Sequence, residues 1–191
     1  MSVGPPDFRL GTVLATSFTA TLTERQGDAV ERIPTPGRLL DWLVLHGLAV
    51  DTCTDADLER ARELRDAIHA AATAAALEDP LPTGAVNVIN EVSVRGHAST
   101  VLDDDGGRRW QLDTASAVAD ALSVIAADAI DIISGDRDGR LALCASPTCR
   151  AAFFDTSRSR TRRWCDMNTC GNRQKKERFK AKARVTSDHV R

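Results

Sequence analysis

The chain has 191 residues, of which 42% are hydrophobic and only 4% are aromatic, and its net charge at pH 7 is −2. This length allows one or two compact domains, and the shortage of aromatic residues leaves Ala, Leu, Val and Ile to form the core, which favours helices. The sequence shows neither a signal peptide nor a run of about 18–20 apolar residues, so a secreted or membrane-spanning protein is not expected and a reducing cytoplasmic location is predicted.

The small net charge conceals two parts of opposite sign. Residues 141–191 contain 13 Lys and Arg against 4 Asp and Glu, whereas residues 1–140 contain 12 against 23. All four lysines and four of the five cysteines lie in the basic part. A strongly basic segment commonly binds a polyanion. Mutual attraction between the two parts of the chain is the alternative explanation.

The N-terminal part is predicted to be mainly α-helical with one small β-hairpin. Its first apolar segment, residues 8–23, fits either a strand or a helix. The next helix begins at Pro36 after a cap at Thr35 and is stopped by Gly47. A longer helix follows a cap at Thr54, and its apolar residues recur at helical spacing.

Further elements complete this part of the chain. Apolar spacing predicts a short helix over about residues 85–92. Two short runs that flank Asp-Asp-Asp-Gly-Gly, residues 103–107, are typical of a β-hairpin. An Ala-rich, strongly apolar helix over residues 114–134 is predicted to be the central one, and residues 135–140 form a short polar linker.

The spacing of the cysteines predicts a metal site. Cys144 and Cys149 are separated by four residues, and Cys165 and Cys170 repeat that spacing. Four thiolates in two close pairs match the ligand set of a tetrahedral zinc ion. Two disulfides or unrelated core thiols are the alternatives, and a reducing location disfavours the disulfides. Because four protein ligands leave no open position, one structural zinc ion per chain is expected, and not a catalytic one.

The residues around the cysteines predict a small α+β, treble-clef-like module of a hairpin and a helix. Residues 150–155 and 161–165 are predicted to be two strands joined by a turn. A helix is predicted over about residues 167–184, with Asp166 or Asn168 as its cap, so that the last cysteine lies in the first turn. The expected core is too small to fold without the metal. It consists of Phe153, Phe154, Trp164 and Phe179.

Basic residues around this module are candidate nucleic-acid contacts. From Arg173 onward, steps of three, four and four residues place four basic side chains on one helix face, where they repel unless an anion compensates them. Lys and Arg bind phosphates with release of counterions, and the major groove of DNA admits an α-helix. A solvated face, or one that docks on the acidic part, is the alternative. The candidates are Arg158, Arg160, Arg162, Arg163, Arg173, Lys175, Lys176, Lys180 and Arg184.

No second site is predicted from the other titratable residues. Cys53 stands alone at a helix start and is expected to be an inert, buried or half-buried thiol. His189 is an alternative zinc ligand, but the four-cysteine set is complete without it. The N-terminal part has no paired nucleophile and base, no glycine-rich phosphate loop and no cluster of His with carboxylates, so an enzyme is not predicted and no catalytic residue is assigned.

Residues 144–184 closely resemble the CGNR zinc finger, whose signature is present as Cys170, Gly171, Asn172 and Arg173 after the stretch FFDTSRSRTRRWCDMNTC. Proteins with this finger usually carry an ABATE domain in front of it, and the helix that begins PTPGRLLDWL resembles that domain more loosely. The family's Asp-Phe-x-Asn-Thr-like element is replaced here by FRLGTVLATSFTAT, without the Asn. The resemblance implies zinc at the four cysteines, DNA binding by the finger, and membership of a family described as candidate stress-induced transcription regulators.

The expected organisation is an ABATE-like helical domain over residues 1–135 and a CGNR finger over residues 141–186. The expected function is transcription regulation, with DNA bound by the finger and a sensing or interaction role for the first domain. An RNA- or translation-associated zinc protein is the alternative. A small-molecule effector and a homodimer stay open, no membrane partner is expected, and Arg173 fits a structural role as well as a DNA contact.

Overall fold

The computed structural model describes residues 7–113, 115–177 and 179–180. Its helices are α1 (Leu14–Thr19), α2 (Pro36–Leu45), α3 (Asp55–Leu77), α4 (Thr83–Arg95) and α5 (Ala117–Ser134). Its strands are β1 (Leu22–Thr23), β2 (Val30–Glu31), β3 (Ser99–Leu102), β4 (Arg108–Gln111), β5 (Arg140–Leu143) and β6 (Ala152–Asp155). A last helix, α6, opens with a π-helical turn at Met167–Gly171 and continues as α-helix over residues 172–177.

The strands form three antiparallel hairpins, β1–β2, β3–β4 and β5–β6. The predicted fold class is confirmed, since the N-terminal part is mainly helical and the four cysteines cluster beside a hairpin and a helix. The undecided first segment contains both alternatives, a helix at α1 and a short strand at β1. None of the helices in the described part of the chain combines the length and apolar character that crossing a membrane requires.

Polar side chains begin the two helices of the N-terminal part for which caps were predicted. The Thr35 hydroxyl accepts a hydrogen bond from the Arg38 amide at 3.3 Å at the start of α2. Thr54 and Asp57 form a reciprocal capping box at the start of α3, in which each side chain accepts from the other residue's amide. These contacts satisfy amides that have no partner inside the helix. The helix predicted over residues 85–92 is longer and extends at both ends to Thr83–Arg95.

The core lies between the five helices α1 to α5. Trp42, Leu64, Ile68 and Ile125 are completely buried in it. The carboxylate of Asp120, also completely buried, accepts hydrogen bonds from the amides of His97 at 2.9 Å and Asp113 at 2.7 Å. Because these two residues flank the β3–β4 hairpin, one side chain of α5 holds both ends of that hairpin.

The hairpin of the cysteine-rich segment differs from the one predicted. β6 pairs with β5, so that Phe154 lies opposite Leu141, and residues 161–164 form no strand. The prediction that residues 150–155 pair with 161–165 was therefore wrong. After β6 the chain folds into a loop, because the buried Asp155 carboxylate accepts hydrogen bonds from the amides of Ser157 and Arg162, each at 2.9 Å.

The small separate core predicted for this segment was wrong as well. Phe154 is 2% exposed and belongs to the same apolar cluster as the residues of α3 and α5, whereas Phe179 is 76% exposed. Trp164 packs against the cysteines. Gly139 permits the close approach of Phe154, since a Cβ at Gly139 would lie 2.3 Å from its ring. The packing is continuous across residues 135–141, and a division into domains at that point stays a prediction.

Candidate metal centre

Four short segments bring the cysteines together. Cys144 directly follows β5, Cys149 lies in the turn before β6, Cys165 precedes α6, and Cys170 lies within its first turn. All four sulfur atoms lie within 4.8 Å of one another. Cys144, Cys149 and Cys170 are buried, and Cys165 is half-buried.

Two turns shape this cluster. In the first, the amides of Cys149 and Arg150 both donate to the Ser146 carbonyl, at 3.2 Å and 3.1 Å. In the second, the Asp166 carboxylate caps α6 by accepting from the Asn168 amide at 2.8 Å and the Thr169 hydroxyl at 3.0 Å. Asp166 was one of the two predicted caps. These hydrogen bonds close the two turns that carry Cys149 and Cys170.

The sulfur positions fit a tetrahedral zinc ion. Zinc–sulfur bonds of about 2.3 Å place neighbouring sulfurs of a regular tetrahedron about 3.8 Å apart. The Cys149 and Cys165 sulfurs are 3.7 Å apart, and so are those of Cys165 and Cys170. A disulfide needs about 2.05 Å, so the geometry matches a shared cation and not a covalent bridge.

Electrostatics also favours a cation at this position. Contacts among the four sulfurs raise the pKa of the Cys149 and Cys165 thiols above the usual thiol range and lower the pKa of the Cys144 and Cys170 thiols below it. Several thiolates at this separation repel one another in a medium that water does not screen. Zinc removes this penalty because its coordinating thiols are deprotonated by the ion's own charge.

Two comparisons with known families cover nearly all of the described chain. Residues 140–183 match the CGNR zinc finger. Residues 12–136 match the ABATE family, which carries the description "putative stress-induced transcription regulator". This chain belongs to the ABATE family. No curated protein matches this ABATE chain. Its CGNR finger and its four-cysteine cluster together identify one structural zinc ion per chain.

The signature residues that follow Cys170 have structural contacts in this ABATE protein. Gly171 is buried, and a Cβ there would lie 3.0 Å from the Met167 sulfur. The Asn172 side-chain amide donates to the Asn168 backbone carbonyl at 3.2 Å, which links two successive turns of α6. Arg173 points away from this loop toward the N-terminal part.

Arg173 forms a bidentate ion pair with Glu24. Its Nη1 lies 2.6 Å from Oε2 and its Nη2 lies 2.9 Å from Oε1 of the carboxylate. The Thr148 hydroxyl donates to Glu24 Oε2 at 2.7 Å and accepts from Arg173 Nη1 at 3.0 Å. The hydrogen bond from Arg173 is the main cause of a Glu24 pKa below its usual range, and Glu24 in turn raises the pKa of Arg173.

Three other candidate nucleic-acid contacts also have partners within the chain. Arg162 donates to the Cys165 carbonyl at 2.9 Å and lies over the Phe153 ring at 5.3 Å. The Arg163 guanidinium is 5.4 Å from the centre of the Trp164 ring, and Arg160 pairs with Asp138. These partners do not decide whether the residues bind nucleic acid, and their role stays a prediction.

Four of the five remaining candidates are exposed and differ from Arg173 in their surroundings. Within the described residues, no ion pair involves Arg158, Lys175, Lys176 or Lys180, and all four are exposed. Arg184 and the alternative ligand His189 lie outside the described residues. Burial, with Asp57 and Asp55 nearby, raises the pKa of the half-buried Cys53 thiol to about 11, in agreement with the inert role predicted for it.

Sequence reasoning did not find Glu24 or Thr148. Glu24 is one of 23 acidic residues before position 141, so nothing in composition distinguishes it. The Glu24 backbone adopts a φ of 53°, which is unusual for a non-glycine residue, and the sequence does not predict this conformation. Thr148 is marked only by its place between two cysteines.

Proposed function

We propose that this ABATE protein is a cytoplasmic transcription regulator that binds DNA through its CGNR finger. Cys144, Cys149, Cys165 and Cys170 are the proposed zinc ligands. The observation that carries the proposal is the exposed positive charge on a metal-held scaffold. Residues 141–191 have 13 basic against 4 acidic residues, and the exposed lysines of α6 lie directly after the cysteine cluster.

In this proposal the zinc ion supplies rigidity and takes no part in chemistry. Four thiolate ligands close its coordination sphere, and the ion holds the two turns and α6 in one arrangement. Lys175, Lys176 and Lys180 then present charge to the phosphate backbone, with Arg158 on the loop after β6. Phosphate contacts of this kind provide affinity and orientation, whereas base contacts provide sequence preference.

A cavity in the N-terminal part supports the proposed sensing role. It has a volume of about 510 Å³ and lies among α3, α4, β4 and α5. Val50, Val92 and Leu122 provide apolar wall, and Trp110 provides an aromatic one. Its charged lining residues are Arg60, Arg95, Arg109, Asp51 and Asp57. The three arginines pair with the carboxylates of Asp57, Glu91 and Asp103, so the lining suits a small molecule with an apolar body and polar groups.

The test of DNA binding is a titration of the full, zinc-loaded chain with duplex DNA at two salt concentrations. Affinity is expected to fall steeply with salt, and binding is expected to vanish after chelation of the metal. Competition with folded RNA separates the two nucleic-acid classes. Stronger competition by RNA than by a second duplex would indicate the RNA-associated alternative, and affinity that is flat with salt contradicts both.

A further inference from the structure

The ion pair between Arg173 and Glu24 joins the two regions of the chain that match different families. The residues are 149 positions apart in sequence. The Glu24 side chain is only 11% exposed and that of Arg173 is 37% exposed. A carboxylate so far removed from water needs a compensating charge. Arg173 supplies it at 2.6 Å, and the Arg9 guanidinium lies farther away, 3.9 Å from Oε1.

Thr148 adds further hydrogen bonds to the contact between Arg173 and Glu24. Its hydroxyl completes the hydrogen-bonded triangle with the ion pair, and its carbonyl accepts from the Gln26 amide at 3.0 Å. The backbone of the β1–β2 turn also passes close to it, since a Cβ at Gly27 would lie 3.3 Å from the Thr148 Cβ. Both the first cysteine turn and α6 of the finger therefore contact the turn that follows Glu24.

We propose that Arg173 is a positioning residue that docks the zinc finger onto the turn between β1 and β2. Its guanidinium holds Glu24 and does not bind nucleic acid. A bidentate ion pair depends on the planar geometry of both groups. A DNA phosphate could bind the Arg173 guanidinium in this way only by displacing the buried Glu24 carboxylate. Lys175 and Lys176 on the same helix are exposed, and among the described residues no carboxylate pairs with them, so a phosphate contact there needs no such exchange.

The contact between the finger and the β1–β2 turn lies next to two of the proposed zinc ligands, Cys149 and Cys170. Thr148 precedes Cys149 directly, and Arg173 follows Cys170 by three residues. Zinc therefore orders both finger residues that hold Glu24, and its removal is expected to release the β1–β2 turn. This coupling rests on the proposed zinc ligands, whereas the dock itself rests on the contacts of Arg173, Thr148 and Glu24.

The test compares Glu24→Gln, Arg173→Gln and Arg173→Lys with the matched control Lys176→Gln in the full, zinc-loaded chain. Hydrogen exchange of residues 22–31 is measured together with the melting temperature and the zinc content. Glu24→Gln and Arg173→Gln are expected to speed exchange and to lower the melting temperature by about 3–10 °C, with one zinc retained. Their double variant is expected to lose little more than either single one.

The control distinguishes docking from nucleic-acid contact. Lys176→Gln removes the same charge from the same helix, so it is expected to weaken DNA binding and to leave exchange and melting unchanged. The dock is overturned if Glu24→Gln leaves exchange and melting unchanged, or if Arg173→Gln weakens DNA binding without altering either. Arg173→Lys keeps the positive charge but cannot form the bidentate ion pair. If Arg173 docks the finger, this variant is expected to lose part of the protection of residues 22–31 from hydrogen exchange. If only the charge of Arg173 matters, protection is expected to stay unchanged.

Chelation tests the coupling to zinc. Removal of the metal from the wild-type chain is expected to speed exchange at residues 22–31, and unchanged exchange contradicts the coupling. If the wild-type chain binds no DNA at all, the proposed function fails, while exchange and melting of the four variants still decide the dock.

Discussion

Phe154 lies opposite Leu141 in the β5–β6 hairpin, and both side chains are buried in the same apolar cluster as α3 and α5. The strands that hold Cys144 and Cys149 between them are therefore anchored in the helical core. The metal site is attached to the N-terminal part by apolar packing on one side and by the Arg173–Glu24 pair on the other.

Truncation of this anchor is expected to destabilise the whole chain. Phe154→Ala removes a side chain that is 2% exposed and is expected to cost about 3–5 kcal/mol of unfolding free energy, through lost burial and the cavity left behind. Chemical denaturation measures the change. Phe179→Ala, at a residue that is 76% exposed, is the matched control and is expected to change stability by less than about 0.5 kcal/mol. Equal effects of the two would contradict the packing described.

Loss of one cysteine of the cluster is expected to abolish tight zinc binding. Cys170→Ser replaces a soft thiolate with a hydroxyl that rarely binds zinc, so zinc per chain is expected to fall from one toward zero and the melting temperature to fall with it. Metal analysis after dialysis measures this. Cys53→Ser is the control, because Cys53 lies outside the cluster, and it is expected to retain one zinc.

Removal of the buried Asp120 carboxylate is expected to release the β3–β4 hairpin. Asp120→Ala leaves the amides of His97 and Asp113 without their acceptor, which is expected to cost about 1.5–3 kcal/mol. Hydrogen exchange at residues 97–113 is expected to rise more than exchange in α3. Asp104→Ala, in the exposed turn of the same hairpin, is expected to leave both quantities unchanged, and a similar effect there would contradict the role of Asp120.

The capping box at the start of α3 is expected to add a pH-dependent contribution to stability. Hydrogen bonds from Thr54 and contact with Arg60 outweigh burial and lower the Asp57 pKa. A carboxyl group whose pKa is lowered in the folded state stabilises the fold at pH values above its pKa in the unfolded chain, which is about 4. This stabilisation is lost as the pH falls through the pKa of the folded state. Asp57→Ala is therefore expected to cost about 0.5–2 kcal/mol at pH 7.

The difference between wild type and Asp57→Ala is expected to shrink below about pH 4. Denaturation curves across that range measure it, with Asp55→Ala in the same helix turn as the control. A difference that grows toward acid pH would have the wrong sign for a carboxylate held in its charged form.

The sequence alone was enough to predict the local features that depend on neighbouring residues. Helix caps at Thr35 and Thr54, the turn at residues 103–107, the two candidate caps Asp166 and Asn168, of which Asp166 caps α6, and the paired cysteines each depend on short-range geometry. The clustering of the four cysteines was predictable because a repeated spacing of reactive residues is rare by chance. The first segment stayed undecided because its apolar residues fit both periods, and it contains both a helix and a strand.

Only the tertiary structure decided how these elements meet. The sequence shows that Phe154 is apolar but not which residues bury it. Phe154 was therefore predicted to belong to a small local core, whereas it packs in the helical core. A charge pattern likewise marks Arg173 as basic without indicating its partner. Glu24 reaches it from 149 residues away, because the fold brings the β1–β2 turn against the first cysteine turn. Contacts between distant segments depend on the packing of the whole chain, which a single sequence does not reveal residue by residue.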